Sequence, residues 1–560
     1  MFDKILIANR GEIAVRILRA CRALGVRSVA IYSQADEDSL HARLADVAVA
    51  CGPARASESY LDAARIVEIA KQVGADAVHP GYGFLSENAE FAEAVAAAGI
   101  TFIGPSPDVI RRMGLKVPAR ELMTAAGVPV VPGGDEIIDP SEARKAAADL
   151  GYPVLVKASA GGGGRGMRRV DRESELEAAL ERARSEAEAA FGNGAIYLEK
   201  CLVGPRHIEI QIVADGQGRV VHLGERECSI QRRHQKLVEE APAHGMTDAL
   251  RTAMGEAAVR AARAVEYRGV GTVEFLVDAR GDFYFLEMNT RIQVEHPVTE
   301  CVTGIDLVST QIRVAAGEHL DFSQDDVSLA GHAIEVRIYA EDPDKKFIPS
   351  PGRILGWLAP AGEGVRLDSG FEGGQLITPH YDPMIAKLIV SGGDRQQVLV
   401  RLAEALEEFW IAGIRTGLPF LRRLVANPVF LRGAYDTGFI EAQMQGELPA
   451  LGEVERELLI AAVGWRAARD AKGETAAFRV ALPRSDSVDV EVLSMEDPVR
   501  VRVAGREVEF AVDEVAHSIL SILAAGQSRR ISLVARKAGG FDVALRDRVL
   551  RVKCDESEGA

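Results

Sequence analysis

The stretch Phe285-Leu286-Glu287-Met288-Asn289-Thr290-Arg291-Ile292-Gln293-Val294-Glu295-His296 decides how the chain is read. In an extended strand, side chains alternate between faces, so residues two apart share one face. Glu287, Asn289, Arg291, Gln293 and Glu295 then line one face, and Leu286, Met288, Ile292 and Val294 line the other. A solvated surface strand also alternates, but it favours Lys, Glu and Thr and would not set an Asn and a Gln between charges. The reading with chemistry in it is a wall of hard oxygen ligands suited to Mg²⁺. That wall runs into a cation and a carboxylate placed for an anionic substrate.

Glu274 sits upstream in Gly271-Thr272-Val273-Glu274-Phe275, on a strand expected to return through Asp278-Ala279-Arg280-Gly281 and pair with this one. Two carboxylates and an amide oxygen form a hard set for one or two Mg²⁺, with ATP phosphates completing the octahedra. Further upstream, Val154-Leu155-Val156-Lys157 reads as a strand entering Gly161-Gly162-Gly163-Gly164, and Arg165-Gly166-Met167 leads into another. Four glycines in a row are often a linker. Between two strands, beside a lysine, they instead let backbone N–H groups close over phosphate oxygens. This is not a Walker A loop, because no GK[ST] follows and no helix begins there. The basic run Cys228 to Lys236 reads as a solvated face unless it lies beside the 287–295 segment.

Around these motifs the chain alternates strand and helix signals. Lys4 to Ala8, Ser28 to Tyr32 and Ala75 to His79 read as strands separated by helices, which predicts a parallel sheet with crossovers. Pro129 to Pro140 looks like a boundary or hinge. After about residue 445 a helix (Glu453 to Ala471) precedes short Val-rich alternating runs, which predict a small β barrel, partial or complete. At 560 residues the chain should hold roughly three to four domains. A net charge of -16 argues against general nucleic-acid or membrane-surface binding. No run approaches the ~18 apolar residues of a membrane span. Six scattered cysteines without a CxxC pair, and an N-terminus opening on a strand, predict a soluble cytoplasmic protein with reduced thiols.

Taken together, these motifs resemble the biotin carboxylase component of biotin-dependent carboxylases, a branch of the ATP-grasp superfamily. The resemblance covers about residues 1 to 445. It is carried by Lys4 to Ala14, His79 to Asn88, Lys157 to Ala160 with the glycine loop, Gly224 to Arg233, Glu287 to Glu300 and Tyr381 to Lys387. It implies an α/β architecture: an N-terminal domain (1–115), an ATP-grasp region (116–330) with a mobile lid at about 132–203, and a C-terminal carboxylase domain (331–446). It also implies a reaction in which ATP and bicarbonate form carboxyphosphate, and the carboxyl group passes to N1′ of biotin.

Roles follow from the resemblance. Lys116, Lys157, His207 and His234, with Gly162, Gly163, Gly164, Gly166 and Met167, would hold ATP. Glu199, Lys200 and Leu202 would frame the adenine and Gln231 would meet the ribose. Glu274, Glu287 and Asn289 would bind Mg²⁺ or Mn²⁺. Lys236, Arg291, Gln293 and Val294 would hold bicarbonate, Glu295 would be the base that deprotonates it, Arg337 would stabilise the enolate-like form of biotin, and Tyr82 would lie near biotin.

Three positions depart from the family's usual residues: Leu115 before Lys116, His380 before Tyr381, and Gly417. Residues 447–560 resemble the helix-plus-barrel domain through which acyl-CoA carboxylase α subunits dock the carboxyltransferase β subunit. No biotin-accepting Ala-Met-Lys-Met run is present, so a biotin carrier domain or protein is an expected partner, within a homo- or hetero-oligomer. The rival expectations are another ATP-grasp ligase and a catalytically silent nucleotide-binding scaffold.

Overall fold

The structure, a computed structural model, describes all residues except 138–139, 159–166, 192–193, 447, 473–475 and 558–560. Strand β1 (Lys4–Ile7) is apolar and wholly enclosed apart from Lys4. It is followed by helix α1 (Gly11–Ala23), then β2 (Arg27–Ser33), β3 (Val47–Gly52), β4 (Ala77–His79) and β5 (Thr101–Phe102). The five strands form a parallel sheet in the order β3-β2-β1-β4-β5, as crossover helices require. β1 is central, so the turn after it and the loop after β4 emerge side by side. Asn9 closes that junction, donating to the carbonyls of Pro80 (2.7 Å) and Tyr82 (2.8 Å). Gly81 has φ +64 there, and a Cβ on it would come within 3.0 Å of the Asn9 amide, so only glycine fits.

Helix α2 (Lys116–Ala125) leads to a four-stranded antiparallel sheet of β6 (Gly133–Ile137), β7 (Val154–Ala158), β8 (Arg168–Val170) and β9 (Ile196–Lys200), in the order β6-β9-β7-β8. β7 and β8 are the two strands expected on either side of the glycine loop; Gly162, Gly163, Gly164 and Gly166 lie outside the described residues.

The largest sheet starts with β10 (Arg206–Ala214), β11 (Val220–Arg232), β12 (Gln235–Ala241), β13 (Gly269–Val277) and β14 (Phe283–Asn289). Helix α3 (His296–Thr303) follows, and then β15 (His332–Tyr339), β16 (Val365–Ser369) and β17 (Met384–Gly392). The order is β14-β13-β10-β11-β12-β15-β17-β16, antiparallel throughout. The division expected at residue 330 therefore falls between strands of one continuous sheet.

Helix α4 (Glu453–Asp470) is buried at every position from Leu458 to Trp465, hence on all its faces. It packs inside a closed barrel of eight antiparallel strands between Ala477 and Glu556. The Val499–Val503 strand alternates buried and exposed residues, the period that the sequence displays. Arg415 bonds Asp542 (2.7 Å) and Arg422 bonds the Arg546 carbonyl (2.9 Å), which ties the barrel to the preceding part. Among the described residues no helix is long and apolar enough to cross a membrane, and all six cysteines are free.

One expectation is corrected. The 285–295 segment is not a strand to its end: pairing stops at Thr272 opposite Asn289. The next amide, Thr290, donates to the Glu87 carboxylate (3.2 Å) instead of a ladder carbonyl. Pro297, which has no N–H and a fixed φ, then opens α3 with Glu295 at its N-cap. The polar residues still converge, but through a turn and a helix start rather than through strand alternation alone.

Candidate active site

Glu274 and Glu287 are directly opposed on β13 and β14, so the sheet itself brings two carboxylates together. Lys236, from β12, reaches into the same space. Its ammonium donates to Glu209 (2.5 Å), Glu274 (2.7 Å) and Glu295 (2.6 Å). Burial pulls the lysine's pKa down, but the three carboxylates outweigh it and hold it well above its ordinary value. Glu209 is paired in turn with Arg226 at 2.5 Å, both wholly buried. Arg226 spends three more N–H groups on Gln211, Thr272 and Thr299, so each of its three nitrogens is partnered.

Glu295 is 0 % exposed, and its second oxygen accepts from Arg337 on β15 at 2.9 Å. Burial raises its pKa, but Lys236, Arg337 and Arg226 outweigh that and keep it below the usual carboxylate range. It is ionised at any working pH. Gln293 donates to Glu274 (3.1 Å), and Lys387 donates to the Val294 carbonyl (2.7 Å). Arg291 is fixed by Glu87 (2.9 Å) and Asn289 (2.9 Å). Tyr82 donates to Glu12, which also pairs with Lys387 (3.3 Å), placing the tyrosine one step from the Arg337 cluster.

A cavity of about 360 Å³ adjoins this cluster. It is lined by Lys116, Lys157, Met167, Glu199, Lys200, Leu202, His207, Gln231, His234 and Glu287, with Thr437 and Glu441 arriving from late in the chain. His207 connects the cavity to the carboxylates through Glu274 (2.9 Å). Two side chains are engaged otherwise than expected. Lys157 pairs with Glu199, and Lys200 donates to the Gly151 carbonyl (2.6 Å), although both line the cavity. Lys116, after the unusual Leu115, does reach the cavity, because a break between helices at Leu115 turns it inward; burial lowers its pKa.

The donor set suits a hard divalent cation. Burial and the charge of Glu274 push the Glu287 carboxyl upward, and among the described residues it has no hydrogen bond or ion pair. A cation shared by the two carboxylates would relieve that repulsion. Asn289 accepts from Arg291 through its oxygen and donates its amide nitrogen to Glu274, which leaves the oxygen's second lone pair for a cation.

The biotin carboxylase N-terminal domain family matches residues 1–110, the carbamoyl-phosphate synthase L chain ATP binding domain matches 116–323, and the biotin carboxylase C-terminal domain matches 335–442. The biotin carboxylase of Halalkalibacterium halodurans is 56 % identical over 441 residues, 79 % of this chain and 97 % of that protein. The chain belongs to the biotin carboxylase family. Its fold is the ATP-grasp biotin carboxylase fold, and its reaction is the carboxylation of biotin with ATP and bicarbonate.

A pyruvate carboxylase subunit of Methanothermobacter thermautotrophicus is 54 % identical over 447 residues, 80 % of this chain and 91 % of that protein. Among solved structures, the biotin carboxylase–β,γ-ATP complex from Campylobacter jejuni superposes with a TM-score of 0.77 at 48 % identity, covering 79 % of this chain and 99 % of that one. The biotin carboxylase domain dimer of Hydrogenobacter thermophilus 2-oxoglutarate carboxylase, in complex with MgADP, ADP and bicarbonate, gives 0.76 at 49 % identity, covering 80 % and 100 %.

The sequence motifs assign no role to Glu209, Arg226, Glu239, Glu87, Lys387 or Glu12. Most of these residues lie within the motifs, but nothing local marks a buried charge whose partner is on another strand.

Proposed function

We propose that the chain is the biotin carboxylase component of an acyl-CoA carboxylase of the acetyl-, propionyl- or methylcrotonyl-CoA type, working with a biotin carrier and a carboxyltransferase β subunit. The observation that carries this reading is the barrel closed around α4, set after the carboxylase part and bonded to it. A barrel whose interior is taken up by its own helix offers mainly its outer surface, as a docking module would.

In the site, Glu295 takes the proton of bicarbonate, whose oxygen then attacks the γ-phosphorus of ATP. ADP leaves and carboxyphosphate forms. Lys236, Arg291 and Gln293 hold the anion while negative charge accumulates. The nucleotide lies in the 360 Å³ cavity, its phosphates toward Lys116, Lys157 and His207. Glu274, Glu287 and Asn289 would hold Mg²⁺ or Mn²⁺, which offsets phosphate charge during transfer. Arg337 stabilises the ureido oxygen of biotin as carboxyphosphate breaks down to CO₂ and phosphate, the phosphate takes the N1′ proton, and N1′ takes the carboxyl group. Anion binding between Lys236, Arg337 and Glu295 draws on the same cations that depress the carboxylate, so Glu295 becomes more basic when its substrate is present.

The names of two relatives support a second reading, in which the final acceptor is a 2-oxo acid such as pyruvate or 2-oxoglutarate. ADP release by the chain with free biotin, with and without bicarbonate, tests the first half-reaction. Indifference to both would favour another ATP-grasp ligase, and no turnover despite ATP binding would favour a silent scaffold. Adding a biotinylated carrier and either carboxyltransferase type, with acyl-CoA or 2-oxo acid, then decides the acceptor.

A further inference from the structure

Arg337 spans two carboxylates. Its Nε and Nη2 both reach one oxygen of Glu239, at 2.7 and 2.6 Å, while Nη2 also donates to Glu295 at 2.9 Å. Nη1 is bonded to neither carboxylate. Glu239 is 0 % exposed and stands on β12 beside β15, with Glu335 directly opposite it. Neither oxygen of Glu335 has a hydrogen-bond partner, so it does not compete for the guanidinium. Lys387, opposite Arg337 on β17, is engaged with Val294 and Glu12 instead. Glu239 is thus the one carboxyl group besides Glu295 in hydrogen-bond contact with Arg337 among the described residues.

We infer that Glu239 is a positioning residue for the biotin half-reaction: it keeps the Arg337 guanidinium from turning wholly onto Glu295 and presents it to the ureido oxygen of biotin. This rests on the reading of Arg337 given above. An arginine side chain has several rotatable bonds, so it needs a partner to hold it in one place. Without Glu239, Arg337 is free to swing fully onto Glu295 and form a two-bond pair. That movement takes the cation from biotin and makes the base still weaker, so two catalytic groups fail together.

The test is steady-state kinetics of the full chain with free biotin, for Glu239→Gln, Arg337→Met and the double variant. Glu239→Gln should lower kcat/KM for biotin by about a hundredfold, the scale of a misplaced catalytic group, with KM for ATP within about twofold. The double variant should be no worse than Arg337→Met alone, because the two residues act as one unit. Glu239→Asp keeps the carboxyl and should recover part of the loss. It also carries the test if the Gln variant does not fold, since its shortened arm should impair biotin turnover while sparing ATP. A Glu239→Gln enzyme with wild-type biotin kinetics, beside an impaired Arg337→Met, would overturn the inference and leave the reading of Arg337 intact. Losses that multiply in the double variant would also overturn it. Wild-type biotin kinetics in Arg337→Met would bring down both.

Discussion

Replacing Glu295 by Gln removes one charge and almost no volume, so its effects separate chemistry from folding. The carboxylate is enclosed and bonded to Lys236 and Arg337. Gln can offer an oxygen to only one of them and turns its NH₂ toward the other. Neither cation is orphaned, because Lys236 keeps Glu209 and Glu274 and Arg337 keeps Glu239. The folding cost should therefore stay near that of one charged hydrogen bond, about 1.5–3 kcal/mol. Loss of a general base costs about 10²–10⁴ in rate, or roughly 3–5 kcal/mol of barrier. Bicarbonate-dependent ADP release in the presence of biotin should fall by that factor, while KM for ATP stays within about threefold. Because Glu295 sits below the usual carboxylate range, any acid limb in wild-type kcat/KM belongs to another group. Turnover of the variant within about threefold of wild type would refute the assignment of the base.

Other outcomes follow from named contacts. Glu287→Gln should raise the Mg²⁺ concentration for half-maximal ATP turnover by at least about tenfold, the low end of what losing even an outer-sphere partner costs; a Mg²⁺ titration reads it. Glu240, bonded to His332, Arg395 and Tyr435, is held down from 4.5 to about 2 against the upward push of burial. Its depressed pKa contributes about 3 kcal/mol, present above the unfolded value and lost as pH falls through the folded one. Denaturant unfolding of Glu240→Gln and wild type should differ by that amount at neutral pH and converge as the pH approaches 2. Gly464 lies in α4, where a Cβ would come 2.4 Å from Val490 Cγ1 inside the barrel. Overpacking at about 1–3 kcal/mol outweighs the helix-propensity gain of about 1 from Ala, so Gly464→Ala should destabilise the barrel in thermal unfolding while biotin carboxylation continues.

The sequence by itself determined the elements and the chemistry. Its two-residue and helical periods reflect burial of one face, a local property, so the parallel N-terminal strands, the β13–β14 hairpin carrying Glu274 and Glu287, and the alternating barrel strands were all legible. So was the resemblance, because motifs keep their order along the chain. Where the 287–295 segment leaves its strand was not legible, since that depends on Glu87 capturing an amide some 203 residues away. Nor was the lysine's triple partnership, whose carboxylates lie 27, 38 and 59 residues from it on β10, β13 and the start of α3. A charge in sequence reads as solvated until its partner is known. Only the tertiary structure decides which charges lose water together, and burial sets their pKa values and fixes the arm that aims Arg337.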